Sequence, residues 1–458
     1  MKRLYIYIIG LICGFTFEAQ AQNATLFNLD GPNSMDVNPA YKLDSRSTFF
    51  TLPVLNYTDI QFTTGNLNFS NITTQTDGKN IIDFDLIQQN MGDKEIISLN
   101  TEIGLFGIGI KSRNSYYSFQ VKEKAMGYFQ FEPGLAKLIT EGTSIVYNND
   151  IPQKFTDINT GNIGINMVHY REFSLGYDRI INENINVGVR GKFLFGMAGI
   201  QGDNFNIRTS SNNLSSIDIY TAGKINVAAP IEYTMKKDDN GKEYVDDIDT
   251  NFDSGYFTNT ENFGFGVDLG ITYKLDSCWS FGLSVVDLGA ISFKNSSQIY
   301  QEAHYNYSGI DVSNSVNNNN ENYQDLEDAS DNLVDEIKES FRVRKRGDNF
   351  SMTLPMKLFV TSTYRHNKWL SAGFLGKYQS FNDISETMMQ LSTTISCKPL
   401  QFTTNYSYSN LSGSMIGMGG SLKLGVFQIY AVTDNILTYI NPKKARLGSV
   451  RLGMNFIL

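Results

Sequence analysis

The sequence predicts an all-β fold, an antiparallel transmembrane β-barrel of about fourteen strands. Three observations predict it. Apolar and polar residues alternate singly along many segments. Several segments reach the roughly 9–11 residues that a tilted spanning strand requires. The connections between them are alternately long and short.

Alternation is clearest at 263–274. Phe263, Phe265, Val267, Leu269, Ile271 and Tyr273 share one face, and Asn262, Gly264, Gly266, Asp268, Gly270, Thr272 and Lys274 share the other. A strand sends successive side chains to opposite faces, so one face here is wholly apolar. Phe173, Leu175 and Tyr177 repeat the pattern against Ser174, Gly176 and Asp178. Ile185, Val187, Val189, Phe193, Phe195 and Met197 continue it against Asn186, Gly188, Arg190, Lys192 and Gly196. At the C-terminus Val450, Leu452, Met454, Phe456 and Leu458 alternate with Arg451, Gly453 and Asn455. Sandwich strands are nearer 5–6 residues and meet a second sheet; these segments are longer and share one two-faced character, as a single closed sheet requires.

Strands are expected near 58–70, 96–111, 115–130, 165–180, 185–205, 260–274, 279–294, 352–365, 369–380, 387–397, 399–409, 414–424, 426–434 and 446–458. Long connections fall at 71–95, 131–164, 206–259 and 295–351, and are expected on the extracellular side. Tight turns at Ser112-Arg113-Asn114, Ile181-Asn182-Glu183, Leu275-Asp276-Ser277-Cys278 and His366-Asn367-Lys368 separate them. Gly453, Phe456 and the terminal Leu458 resemble the final-strand signal read by the barrel-assembly machinery, although an aromatic residue usually stands last.

Composition agrees. The mean hydropathy of -0.25 is far below that of a helical membrane protein, and alternating strands cancel in such an average. The 31 Phe and 25 Tyr can supply aromatic girdles. A net charge of -9 with no basic stripe excludes nucleic acid as a partner.

Residues 1–21 read as a cleaved signal peptide: Lys2 and Arg3, an apolar run from Leu4 to Phe17, then Ala19-Gln20-Ala21. The mature chain would then keep Cys278 and Cys397, which the strand map sets three strands apart, so no disulfide is expected. Residues 22–57 form an N-terminal segment in which Asn38-Pro39-Ala40 is a loop signal. Thr48, Phe50, Leu52 and Val54 alternate within it, as an extra strand or a plug entering the lumen would. The barrel proper is expected over 58–458.

Outside the strands, the 206–259 connection carries Asp238, Asp239, Glu243, Asp246, Asp247, Asp249 and Asp253. Asp247, Asp249, Asn251 and Asp253 have calcium-loop spacing, but Phe252 replaces the required glycine and no Glu closes the loop, so a solvated acidic loop is expected. Leu326, Ala329, Leu333, Val334, Ile337 and Phe341 predict an amphipathic helix over 323–341. His169, His304 and His366 lack metal-ligand spacing, and there is neither a Gly-x-Ser-x-Gly elbow nor a P-loop. No cofactor and no enzyme activity are expected. Inward Glu172, Asp178, Arg190, Lys192, Asp268, Lys274 and Arg451 are the candidates for lining a polar lumen, either as a pathway or as ion pairs that fill it.

Asn38-Pro39-Ala40, Leu52-Pro53, Leu135-Ala136-Lys137-Leu138-Ile139-Thr140-Glu141-Gly142, the run His169 to Tyr177, the run Val187 to Gly196 and the run Gly264 to Gly270 together resemble an uncharacterised family of Gram-negative outer-membrane barrels. That family is similar in architecture to the long-chain fatty-acid transporter (FadL) family. Thr143 stands where the resemblance expects Asn. The resemblance implies about fourteen strands and an N-terminal hatch that would hold Asn38, Pro39 and Ala40. It also implies an outer-membrane location, with membrane lipids and the assembly machinery as partners. A channel or transporter for small hydrophobic ligands is the expected function. The alternative is a non-transporting scaffold docking secreted or surface proteins, as related barrels do in type IX secretion; an outer-membrane lipid hydrolase is the remotest.

Overall fold

The computed structural model describes residues 29, 31–41, 48–52, 56–76, 79–141, 144–149, 151–237, 243–250, 254–294, 297–300, 303–307, 343–344 and 349–458. The signal peptide expected at 1–21 and the helix expected over 323–341 lie outside them, as do Asn251, Phe252 and Asp253. Among the described residues no helix is long and apolar enough to cross a membrane.

A single antiparallel sheet closes on itself. Its wall strands are β1 (Phe49–Thr51), β2 (Tyr57–Thr63), β3 (Glu95–Ser112), β4 (Ser115–Phe131), β5 (Ile163–Ile180), β6 (Ile185–Ser210), β7 (Asn262–Lys274) and β8 (Trp279–Phe293). Then come β9 (Phe350–Thr353), β10 (Met356–Arg365), β11 (Leu370–Phe381), β12 (Ile384–Cys397), β13 (Leu400–Ser409), β14 (Gly413–Leu424), β15 (Phe427–Thr433) and β16 (Leu447–Ile457). Apart from β1 with β2 and β9 with β10, neighbours in the chain pair in order, and β16 closes the ring on β1 and β2.

Sixteen strands make the barrel where about fourteen were expected, and they fill fourteen positions around the wall because two positions hold two strands each. The surplus has a local cause. β1 and β2 lie end to end, both between β16 and β3, and β9 and β10 lie end to end against β8. The sequence between the members of each pair carries a Leu-Pro: Leu52-Pro53 and Leu354-Pro355. Proline donates no backbone hydrogen bond, so a ladder breaks there. Phe49–Thr51 therefore belongs to the wall, and residues 64–70, expected in the first strand, turn away into a short helix at Phe69–Ile72.

The alternation maps onto the two faces as expected. Phe263, Phe265, Leu269, Ile271 and Tyr273 are exposed outside, and Asn262 and Asp268 are buried inside. Toward the short turns the outer face carries an aromatic rim, with Tyr117 against Tyr177 at 5.3 Å and Trp279 against Tyr364 at 4.8 Å.

At the opposite end the wall grows outward. β6 continues past the barrel for a total of 26 residues. Its far half pairs with Ile217–Ala228, which pairs with Ser297–Tyr300 and Ala303–Tyr307, and Ser297–Tyr300 pairs with Val343–Arg344. The connections expected as loops thus carry structure of their own. The acidic stretch contributes Glu243–Thr250, one arm of a hairpin with Ile231–Lys237.

Candidate functional site

The lumen is occupied by the chain's own N-terminal segment. Pro32 starts a 3-10 turn, Pro32–Asp36, all of it buried. Asn38 then serves as the fastener. Its Nδ2 donates to the carbonyls of Ile271 (3.1 Å) and Leu283 (3.4 Å), while its Oδ1 accepts from the Ala40 amide at 2.8 Å. A carboxamide is suited to this because it donates and accepts at once. The Ala40 carbonyl accepts from Asn186 Nδ2 at 2.7 Å and Thr272 Oγ1 at 3.4 Å.

Glycines make the floor. Gly188 and Gly270 face each other across β6 and β7. A Cβ at Gly270 would stand 2.1 Å from Asn38 Oδ1, and one at Gly188 would stand 2.4 Å from the Pro39 carbonyl carbon. The turn lies directly on their backbone. Around it, Leu29 packs with Tyr57, Tyr430 and Val432, and Val37 with Val286, Phe359, Leu375 and Met388.

Beyond this seat lies one connected ion network. Asp36 is the only charged residue among the described residues 29 and 31–41. Its Oδ1 is 2.5 Å from Lys122 Nζ and 3.3 Å from Arg190 Nη1, and its Oδ2 is 3.8 Å from Arg451 Nη1. Burial alone would raise the Asp36 carboxyl. Lys122, with Arg190 and Arg451, outweighs it and holds the group below its usual range, so it is charged at neutral pH. Lys122 and Lys124 reach Glu102, Lys124 also reaches Glu172, and Arg451 reaches Asp59. Lys192 Nζ lies 2.7 Å from Asp268 and 2.5 Å from Asp287, and Lys357 Nζ lies 3.0 Å from Asp287. Asp36, Asp59, Glu102, Glu172, Asp268 and Asp287 thus balance Lys122, Lys124, Arg190, Lys192, Lys357 and Arg451 charge for charge. Such balance is what allows ions to be buried at all.

Toward the long connections the interior turns apolar. Ile96, Tyr128, Val168, Tyr170, Leu194, Ile291, Phe293, Met352, Leu354, Phe381 and Ile384 pack together inside the wall. Between that cluster and the ion network lies a cavity of about 70 Å³, edged by Asp59, Glu102, Lys124, Tyr170, Lys357 and Gln379. It has room for a few waters, far below the roughly 300–1,000 Å³ of a ligand site.

The DUF5723 family model, described as a family of unknown function, matches residues 39–434, most of the chain. The chain belongs to this family. No curated protein matches it. Among solved structures, the DUF5723 chain is similar to the P. putida toluene transporter TodX at 9% identity, over 93% of this chain and 92% of that one, with a TM-score of 0.40. It is similar to a Pseudomonas aeruginosa FadL homologue at 10% identity, over 96% and 97%, with a TM-score of 0.41. It is also similar to the Ralstonia pickettii toluene transporter TbuX at 9% identity, over 97% and 98%, with a TM-score of 0.38.

Of the candidate lining residues of this DUF5723 chain, Glu172, Arg190, Lys192, Asp268 and Arg451 meet in the network. Asp178 is buried apart from them, 3.4 Å from Asn186 Nδ2. Lys274 is exposed at the end of β7, because the strand there has run past the filled interior. Asn38, Pro39 and Ala40 are buried in the seat. Sequence reasoning missed Asp36, Asp59, Glu102, Lys122, Lys124, Asp287 and Lys357. Lys122 and Lys124 were readable, since they alternate with outward Val121 and Glu123 on a strand already placed. Asp287 was not. The β7–β8 register shifts between Val267 and Leu269, and Asp287 adopts a left-handed φ of 60° that reverses the local parity. Among the described residues no cluster of His, Cys, Asp and Glu suits a metal ion.

Proposed function

We propose that this chain is an outer-membrane β-barrel whose N-terminal segment is a removable plug, making it a gated channel. An exposed apolar face around a closed sheet, rimmed with aromatics, supports the membrane placement. Long connections would then face the outside and short turns the periplasm. One observation carries the gate. Asp36, on a segment seated by hydrogen bonds rather than by strand pairing, completes the charge balance of the wall. Withdrawing the segment leaves the wall with one cation in excess and opens the lumen beside it. The ligand proposed is a small hydrophobic molecule, which would meet the apolar cluster in the outer half of the lumen.

Conductance across planar bilayers tests this. Wild-type protein is expected to be mostly closed. Asp36→Asn, which keeps the shape and removes the charge, is expected to raise open events at least tenfold, and deletion of residues 22–41 to open the pore fully. A deletion variant that folds and stays non-conducting would refute the gate. A second reading, a scaffold docking secreted or surface proteins, is favoured by the filled lumen together with the sheet that β6 carries outward.

A further inference from the structure

The chain carries a net charge of -9, yet the short-turn end of its barrel is cationic. Four strands reach that end on a cation of the inward face: Lys111 on β3, Lys274 on β7, Arg365 on β10 and Lys423 on β14. Their direction follows from their neighbours. Lys111 and Lys423 are the cross-strand partners of Tyr116 and Gln428, both buried inside. Lys274 stands two residues beyond Thr272, whose hydroxyl donates to the Ala40 carbonyl of the plug. Arg365 stands four residues beyond the buried Thr361, and Tyr364 beside it packs outside on Trp279. The four strands are spread around the closed sheet, so the cations encircle the mouth. Arg113, Lys368 and Lys398 add exposed charge at the turn tips.

Few acids oppose them. Among the described residues this end holds three carboxylates. Asp178 is buried beside Asn186, Asp276 gives an oxygen to the Cys278 and Trp279 amides, and Glu183 is exposed at a tip. Lys111, Lys274 and Lys423 make no ion pair among the described residues. A rim that only had to be wet would draw on both signs, and this chain has more acid than base. A ring of one sign around an opening with low-dielectric walls focuses its field there, and rings of Lys and Arg are how anion pores discriminate.

We propose that the short-turn mouth is an anion-gathering vestibule, in which Lys111, Lys274, Arg365 and Lys423 concentrate small anions ahead of cations, so that the unplugged lumen passes anions in preference. This deepens the gated-channel reading above and rests on it. The ring is separate from the plug's own network: it lies at the mouth, exposed or half-exposed, and its charges are not consumed by seating Asp36.

Two measurements on full-length protein in phosphatidylcholine bilayers, which bring no net lipid charge, test it. The chain has two tryptophans, Trp279 and Trp369, and both stand at this end, Trp369 directly after Lys368. With the plug in place, iodide should quench them at least twofold better than caesium, each measured against free N-acetyltryptophanamide. Lys111→Glu, Lys274→Glu and Lys423→Glu together should bring the two ions level, while neutral acrylamide quenches both proteins alike. In planar bilayers under a potassium chloride gradient, the open events of Asp36→Asn should reverse at the potential of a pore at least threefold more permeable to chloride than to potassium. The three Glu substitutions should remove that preference, and Lys443→Glu with Lys444→Glu, on the β15–β16 connection at the other end, should keep it. Raising the salt to about 1 M, where screening sets in within about 3 Å, should weaken it. Where the glutamates keep the barrel from assembling, read by heat-modifiable mobility, glutamine at the same three positions should still lower both readings. Equal quenching of the wild type by iodide and caesium overturns the vestibule. Open events without a chloride preference, or a preference untouched by the triple substitution, overturn it and leave the gate standing. Preferential iodide quenching with no open events upholds the ring and sinks the gate.

Discussion

Val267 and Asp268 are adjacent in β7 and face opposite environments. Val267 sits on the outward apolar face, which the proposed function sets against lipid, where an arginine costs about 2–4 kcal/mol near the bilayer midplane. Val267→Arg is therefore expected to lower folded yield in bilayers, read by heat-modifiable mobility. Parity alone suggests that losing Asp268 is tolerable, since water can replace one luminal carboxylate. The structure revises that. Asp268 is fully buried, its Oδ1 accepts from the Asp287 amide at 2.8 Å, and it stands 2.7 Å from Lys192. Asp268→Ala takes one carboxylate from Lys192 and Arg190 and leaves the buried network with a cation in excess, which costs on the order of 3–5 kcal/mol. Urea unfolding of the reconstituted protein should show Asp268→Ala losing at least as much stability as Val267→Arg. Individual inward charges were legible wherever the strand kept its period. Asp287, behind a bulge, and Asp36, in a turn with no period, were not.

At the scale of elements, wall strand positions other than the first were legible to within a few residues, because a two-residue period over ten or more positions leaves little freedom. What the glycines are for was not. Gly188 and Gly270 read as small residues on the inner face; their role as a floor depends on Asn38 and Pro39, which are far away in sequence and carry no periodic signal. Gly270→Leu is expected to leave the wall intact and lift the N-terminal segment, since even a methyl would stand 2.1 Å from Asn38 Oδ1. Trypsin should then cut at Lys42 or Arg46 several-fold faster than in the wild type, with mobility on heating unchanged. Unaltered cleavage would mean that the segment is not seated by that floor.

For the whole molecule, closure of the sheet fixes which ends of the chain can meet. Cys278 follows β7 and Cys397 ends β12, on the short-turn side, and both are free. Intervening wall strands keep their backbones beyond the roughly 7 Å that a disulfide spans. Maleimide labelling of unfolded mature protein should count two thiols with or without prior reduction; protection of both within a monomer would contradict the strand order. The sequence made the barrel legible and left the state of its lumen open, because alternation says which side chains point inward but not whether they meet across the middle.

β6 is the longest strand described, and one backbone serves two settings. At an extended rise per residue its 26 residues measure about 85 Å. Its near half carries Arg190 and Lys192 into the ion network, and its far half anchors the external sheet. Between the two the backbone runs on through two slips of the pairing, one at Met197 against β5 and one between Asp203 and Asn206 against the external sheet. It is a shaft fixed at both ends. A displacement of the outer sheet is therefore borne by the same strand that places Arg190 beside Asp36.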